Sequence, residues 1–149
     1  MECLLDIIAV MIELDNRVNL QIDTAFLQSI ANELTDKEIE LIITTNEEIQ
    51  EINREHRGVD KPTDVLSFPY EEVFMGPLGS IVISEDFVRQ KADEFGHTLS
   101  DELALLFIHG LLHILGFDHE VDNGEMRQEE HKLIKKFSLP ESLIIRTEG

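Results

Sequence analysis

The chain has 149 residues, 42% of them hydrophobic and 29% charged, which describes a globular domain with a real core and excludes a disordered or fibrous chain. Against 31 Asp and Glu stand only 12 Lys and Arg, and the net formal charge of −19 excludes a broad basic surface for duplex nucleic acid and docking on an anionic membrane. A small local cationic site remains compatible with that charge, because fields are screened beyond about 8 Å at physiological salt.

The length predicts one domain over residues 1–149. Cys3 is the single cysteine, so neither an internal disulfide nor a thiolate metal cluster can form. The segment Met1–Asp6 lacks the basic stretch of a secretory signal. The longest charge-free apolar run, Leu103–Phe117, is shorter than the roughly 18–20 residues that cross a bilayer. The expected setting is therefore soluble and cytoplasmic, with no membrane partner.

In chain order, residues 4–14 are rich in branched apolar side chains and predict a strand. Phe26, Leu27, Ile30, Ala31 and Leu34 share one face of a helix capped by Asp23. Residues 38–45 alternate and then turn apolar, a strand buried on at least one face. Thr45 and Glu48 have the spacing of a capping box for a helix that stops at Gly58. Residues 64–68 and 80–83 predict two more strands, joined by a loop holding Pro69, Gly76, Pro77 and Gly79. Ser84, Glu85 and Asp86 start a helix whose buried face is Phe87, Val88, Ala92 and Phe95 and which ends at Gly96. Thr98 or Ser100 caps the next helix. A last helix over 123–137 buries Met126, Leu133, Ile134 and Phe137 and turns a strongly acidic side outward. The sum is an α+β domain with about four strands in a small mixed sheet and about five helices.

The chemistry concentrates in His109-Gly110-Leu111-Leu112-His113-Ile114-Leu115-Gly116-Phe117-Asp118-His119. Two histidines four apart project from one helix face and can reach a single ion at the Zn–N distance of about 2.0–2.1 Å. Gly116 falls where the helix should end, and glycine enters the left-handed conformation freely, so the chain can turn back and bring His119 to the same ion. Three neutral imidazoles leave a fourth tetrahedral position open, as in catalytic rather than structural zinc sites. Offsets of four, seven and ten match the metzincin pattern H-E-x-x-H-x-x-G-x-x-H. Here, however, Gly110 stands where a zinc peptidase carries its glutamate base. Asp118 is the nearest acid; it either orients a ligand histidine or caps the turn.

A second segment, Asn53–Pro69, gathers Arg54, Arg57 and Lys61 in this acidic chain. The planar fork of arginine suits a phosphate, and the turn after a helix can expose it. His56 is a further candidate to line a cleft, whereas His97, near a helix end, and His131, on an acidic helix, read as structural or surface residues.

HRGVDKPTDVLSFPYE (56–71), SIVIS (80–84) and HGLLHILGFDH (109–119), in that order, resemble the YbeY family of bacterial rRNA maturation factors, zinc-dependent single-strand endoribonucleases. The resemblance implies an α+β domain with a metzincin-like zinc helix at one end of a cleft. His109, His113 and His119 would then be the Zn²⁺ ligands and Arg57 the basic residue of RNA cleavage. Arg54 and Lys61 are candidate RNA contacts. The implied partners are single-stranded RNA, rRNA in particular, and the small ribosomal subunit or its proteins, with no DNA. The family usually has Gly-Asp before the Ile-Val-Ile strand, where this chain has Gly79-Ser80. Two other readings stay open: a metallopeptidase on the same histidine frame, and a non-catalytic ribosome-assembly factor whose zinc holds its fold.

Overall fold

Branched apolar runs become the strands, and the 3.6-periodic segments become the helices that cover them. The computed structural model describes residues 11–71, 76–118 and 123–140. Within them the order is β1 (Ile12–Asn16), α1 (Thr24–Leu34), β2 (Ile39–Thr44), α2 (Asn46–Arg57), β3 (Val65–Pro69), β4 (Gly79–Ser84), α3 (Glu85–Phe95), α4 (Leu99–Ile114) and α5 (Glu125–Lys136). The sheet order is β1-β2-β4-β3. β1, β2 and β4 run parallel, and β3 lies antiparallel on the outer side of β4, with Ser67 opposite Ile81 and Leu66 opposite Val82. This is the expected α+β class with a mixed four-stranded sheet.

Alternation along the strands divides the core in two. On one face Leu41, Ile43, Ile81 and Ile83 pack against α1, α4 and α5. On the other, Val82 and Leu66 meet Ile49 of α2, with Ile42, Ile52 and Phe68 around them. β4 is buried at every position, which explains its continuous apolar reading between two covered faces. α4 is the central helix, with eleven of its sixteen residues buried. Each fully buried Leu, Ile or Phe in it contributes roughly 1.5–3 kcal/mol. Among the described residues no helix is long and apolar enough to cross a membrane.

Most helix starts follow the capping logic of the sequence. Asp23 accepts from Phe26 N at 3.1 Å, Thr45 from Glu48 N at 3.2 Å, and Thr98, rather than Ser100, from Asp101 N at 3.0 Å. Four details differ from expectation. The first strand ends at Asn16, and the part expected over residues 4–10 lies outside the described residues. The capping box is half made, because the Glu48 carboxylate accepts from the Thr44 hydroxyl and from Arg17 Nη1 (2.7 Å). Ser84 precedes α3 without capping it: its hydroxyl donates to Asn46 Oδ1 at 2.7 Å and so ties β4 to the start of α2. Phe95, expected in the core, is 37% exposed and stacks on the His97 ring.

The Thr44 hydroxyl, and after it Arg17, hold the Glu48 carboxyl below its usual range. A carboxylate depressed in the folded state stabilises above its ordinary pKa and loses that contribution as pH falls through its folded value. Both Arg17 and Glu48 are about two-fifths exposed, so the effect is small. In thermal unfolding, the Tm gap between wild type and Glu48→Gln should be widest near neutral pH and close as pH drops below the ordinary carboxylate range. A gap that does not change with pH would contradict this linkage.

Candidate metal centre and cleft

α4 ends as the sequence implies. Phe117 N donates to Leu112 O and Gly116 N to His113 O, both at 3.0 Å, and Gly116 takes φ +102°. That is the paired bonding of a Schellman turn, and the left-handed residue at its corner is the position glycine fills without a Cβ penalty. The chain therefore reverses immediately after the second histidine. Asp118 follows the reversal, half-buried. His119 lies outside the described residues.

His109 and His113, one turn apart on α4, turn their rings toward each other. Their Nε2 atoms are 3.1 Å apart, with ring centroids at 4.6 Å and planes at 78°. Two nitrogens each about 2.0–2.1 Å from one tetrahedral ion stand about 3.3 Å apart, so the pair is already spaced to share a zinc. Among the described residues no cluster of three His, Cys, Asp or Glu side chains is complete, as expected when only two of the three candidate ligands are described. The donor set fits: two imidazoles, half-buried at the mouth of a cleft, suit a borderline-soft divalent ion.

The cleft, about 450 Å³, is lined by Arg57, by Thr63–Ser67 and Pro69 along β3, and by His109 and His113. Arg57 is carried by the last turn of α2, where a cation complements the helix dipole. The left-handed residue Gly58 then sends the chain toward β3. β3 is held by Ser84 N donating to Asp64 O at 3.0 Å, while the Asp64 carboxylate accepts from Val65 N at 2.8 Å. Helix α2, edge strand β3 and helix α4 thus bring residues 57, 109 and 113 to one opening.

The other basic candidates sit elsewhere. Arg54 does not line this cleft: its guanidinium is 3.7 Å from Asp60 Oδ1, and it borders a hollow with Glu47, Glu48 and Glu51. Lys61 is exposed on the turn, and its carbonyl accepts from Asn53 Nδ2 at 2.9 Å. The His56 ring packs against Phe68 at 5.3 Å between centroids. His97 is structural, its side chain 1% exposed against the buried Glu102. Ser80 shares a sheet face with Val82, opposite Ile81 and α4, so the family's usual aspartate at this position would point away from the histidines.

Gly110 explains why the peptidase glutamate is missing. A Cβ built there would lie 2.9 Å from Ile81 Cγ2, 3.1 Å from Ser67 Oγ and 3.2 Å from Val65 Cγ2. The Ser67 hydroxyl donates to Gly110 O at 2.9 Å, which clamps strand to helix across this contact. Residue 110 is pressed against β3 and β4, which leaves no room for a glutamate side chain. The metallopeptidase reading therefore lacks its general base at this position.

Glu130 was missed by sequence reasoning, which assigned the acids of the last helix to its outer side. It is buried on α5, with Oε1 3.5 Å from His109 Nδ1. The available signal was position: residues 126, 130, 133 and 134 form one helical stripe, and Glu130 is the acid among Met126, Leu133 and Ile134.

Known proteins agree with this architecture. The family described as Endoribonuclease YbeY matches residues 10–138. An Endoribonuclease YbeY of Sulfurimonas denitrificans is 61% identical over 139 residues, covering 93% of this chain and all of its own. That of Aliarcobacter butzleri is 62% identical over 138 residues, covering 91% and 99%. The solution structure of the Thermotoga maritima protein TM1509 superposes with a TM-score of 0.59 at 31% identity, over 85% of this chain and 89% of that one.

The close approach at Gly110 makes a stability prediction. Gly110→Glu forces a side chain and a charge into the strand–helix contact, where overpacking alone costs about 1–3 kcal/mol. Thermal unfolding should show a Tm at least several degrees lower, with no gain of peptide cleavage. An unchanged Tm would mean that α4 does not sit this close to the sheet.

Proposed function

The chain belongs to the YbeY endoribonuclease family, and we propose that it cuts single-stranded RNA at a zinc held by His109, His113 and His119, with Arg57 on the phosphate. The observation that carries this reading is the shared cleft: among its described lining residues the only Lys or Arg is Arg57, at the same opening as the paired imidazoles. Zinc in such a site supplies Lewis acidity, stabilising charge that develops on phosphoryl oxygen and acidifying a nucleophile. The remaining work falls to the chain. Arg57 presents a planar fork to two phosphate oxygens and steadies their charge as the transition state forms. Its place at the end of α2 gives it reach without burial. The cleft has the volume of a small-ligand pocket, suited to a nucleotide or so of extended strand rather than to a duplex.

The acidic surface sets the manner of binding. With −19 overall, the protein offers RNA little besides the metal and Arg57, with Arg54 and Lys61 at the margin. Docking on rRNA in vivo is therefore assigned to a ribosomal context, where basic proteins of the small subunit face this acidic surface, in a cytoplasmic role in rRNA maturation. A non-catalytic assembly role is not favoured, because the relatives are endoribonucleases by name.

Cleavage of a single-stranded RNA oligonucleotide tests the proposal. Removing metal with a chelator, or substituting His113→Ala, should abolish cleavage while the circular dichroism stays folded. Arg57→Ala should keep its metal and lose at least about 100-fold in kcat. A metal-stripped protein or an Arg57→Ala variant that cleaves at the wild-type rate would overturn it.

Salt dependence gives an independent check. With at most three or four cationic contacts at about 0.7 each, log affinity for RNA should fall against log salt with a slope of magnitude below about 3. A slope that required six or more phosphate contacts would contradict the local-grip account.

A further inference from the structure

We propose that Glu130 is a positioning residue for His109, holding its ring so that Nε2 faces His113. The inference rests on the metal reading above. Glu130 is fully buried, and its Oε1 lies 3.5 Å from His109 Nδ1, while His109 Nε2 lies 3.1 Å from His113 Nε2. The carboxylate and the second histidine thus sit at opposite ring nitrogens of His109. A carboxylate at Nδ1 selects the tautomer that carries its proton there and leaves the lone pair on Nε2, which is the form that binds a metal. A carboxylate behind a ligand histidine also fixes the ring's rotation and raises its basicity.

Glu130, a buried carboxylate, is a costly residue with which to pack α5. Its neighbours on the stripe, Met126, Leu133 and Ile134, are all apolar and all buried, and a fourth apolar residue would complete the contact with α4 at less cost than a carboxylate. Through Glu130, α5 becomes part of the site although it lines none of the cleft.

A second buried histidine–carboxylate pair in the molecule serves as a control. His97 Nδ1 and Glu102 Oε1 are also 3.5 Å apart, with side chains 1% and 0% exposed, but they lie at the start of α4, about 10 Å along the helix axis from His109. If buried pairs of this kind serve folding alone, the two glutamates should respond alike.

The test compares wild type with Glu130→Met, Glu130→Gln and Glu102→Gln by two readouts: zinc affinity by chelator competition, and the His109 tautomer in metal-free protein by nitrogen NMR. Glu130→Met should bind zinc about 10–100-fold more weakly and show mixed His109 tautomers. Glu130→Gln, which keeps an acceptor oxygen, should recover part of both. Glu102→Gln should shift Tm but neither readout. Should Glu130→Met fail to fold, Glu130→Gln decides by the same readouts, with an intermediate loss expected. Folded Glu130 variants with wild-type zinc affinity and an unchanged tautomer would overturn the proposal. Wild type that binds no zinc would instead sink the metal reading, and the tautomer signal would then decide alone whether Glu130 positions the ring.

Discussion

Everything at the site depends on how closely α4 lies on the sheet. Gly110 lets the helix backbone approach β3 and β4 to within contact of Ile81, Ser67 and Val65, and the Ser67 hydroxyl fixes the distance by its bond to Gly110 O. With residue 110 against the sheet, the neighbouring positions 109 and 113 must face outward and along the edge of β3, where the cleft opens. A helix held a few ångströms farther out would still carry two histidines four residues apart, yet they would not meet Arg57. The glycine that removes a peptidase base is therefore the same one that aims the imidazoles.

From that contact the other elements take their roles. α4 can be nearly all apolar because it is enclosed by the sheet and by α1, α3 and α5. At one end Thr98 caps it and His97 pairs with Glu102; at the other, the Gly116 turn reverses the chain beyond His113. α2, on the opposite face of the sheet, delivers Arg57 to the cleft through the length of its helix and the turn at Gly58. Most of the described acidic residues are exposed, so Arg57 acts in the cleft against a background that discourages other anions from lodging nearby.

Much of this was legible from residue types and spacing. Helix caps at Asp23, Thr45 and Thr98, the stop at Gly58, and the histidine pair with its trailing glycine all rest on short-range rules that a sequence displays directly. The misses share another cause. Glu48 and Ser84 departed from expectation because partners distant in sequence (Arg17 and Asn46) outweighed local preference, and Phe95 because its place is at the surface against the His97 ring. Arg54 and Lys61 lie close to Arg57 in sequence, but three residues along a helix and a turn beyond it turn them elsewhere. Glu130 carried a visible signal, an acid on an apolar stripe, though its target on α4 emerges only once the two helices are packed together.

The central claim is that the paired imidazoles of α4 hold a catalytic metal rather than completing a core. Metal analysis of the purified protein beside its His109→Ala variant tests this most directly. The account predicts about one zinc or comparable divalent ion per wild-type chain and essentially none in the variant, with the helical signal of both intact. A variant that retains its full metal content, or a wild type purified and reconstituted without any, would contradict it.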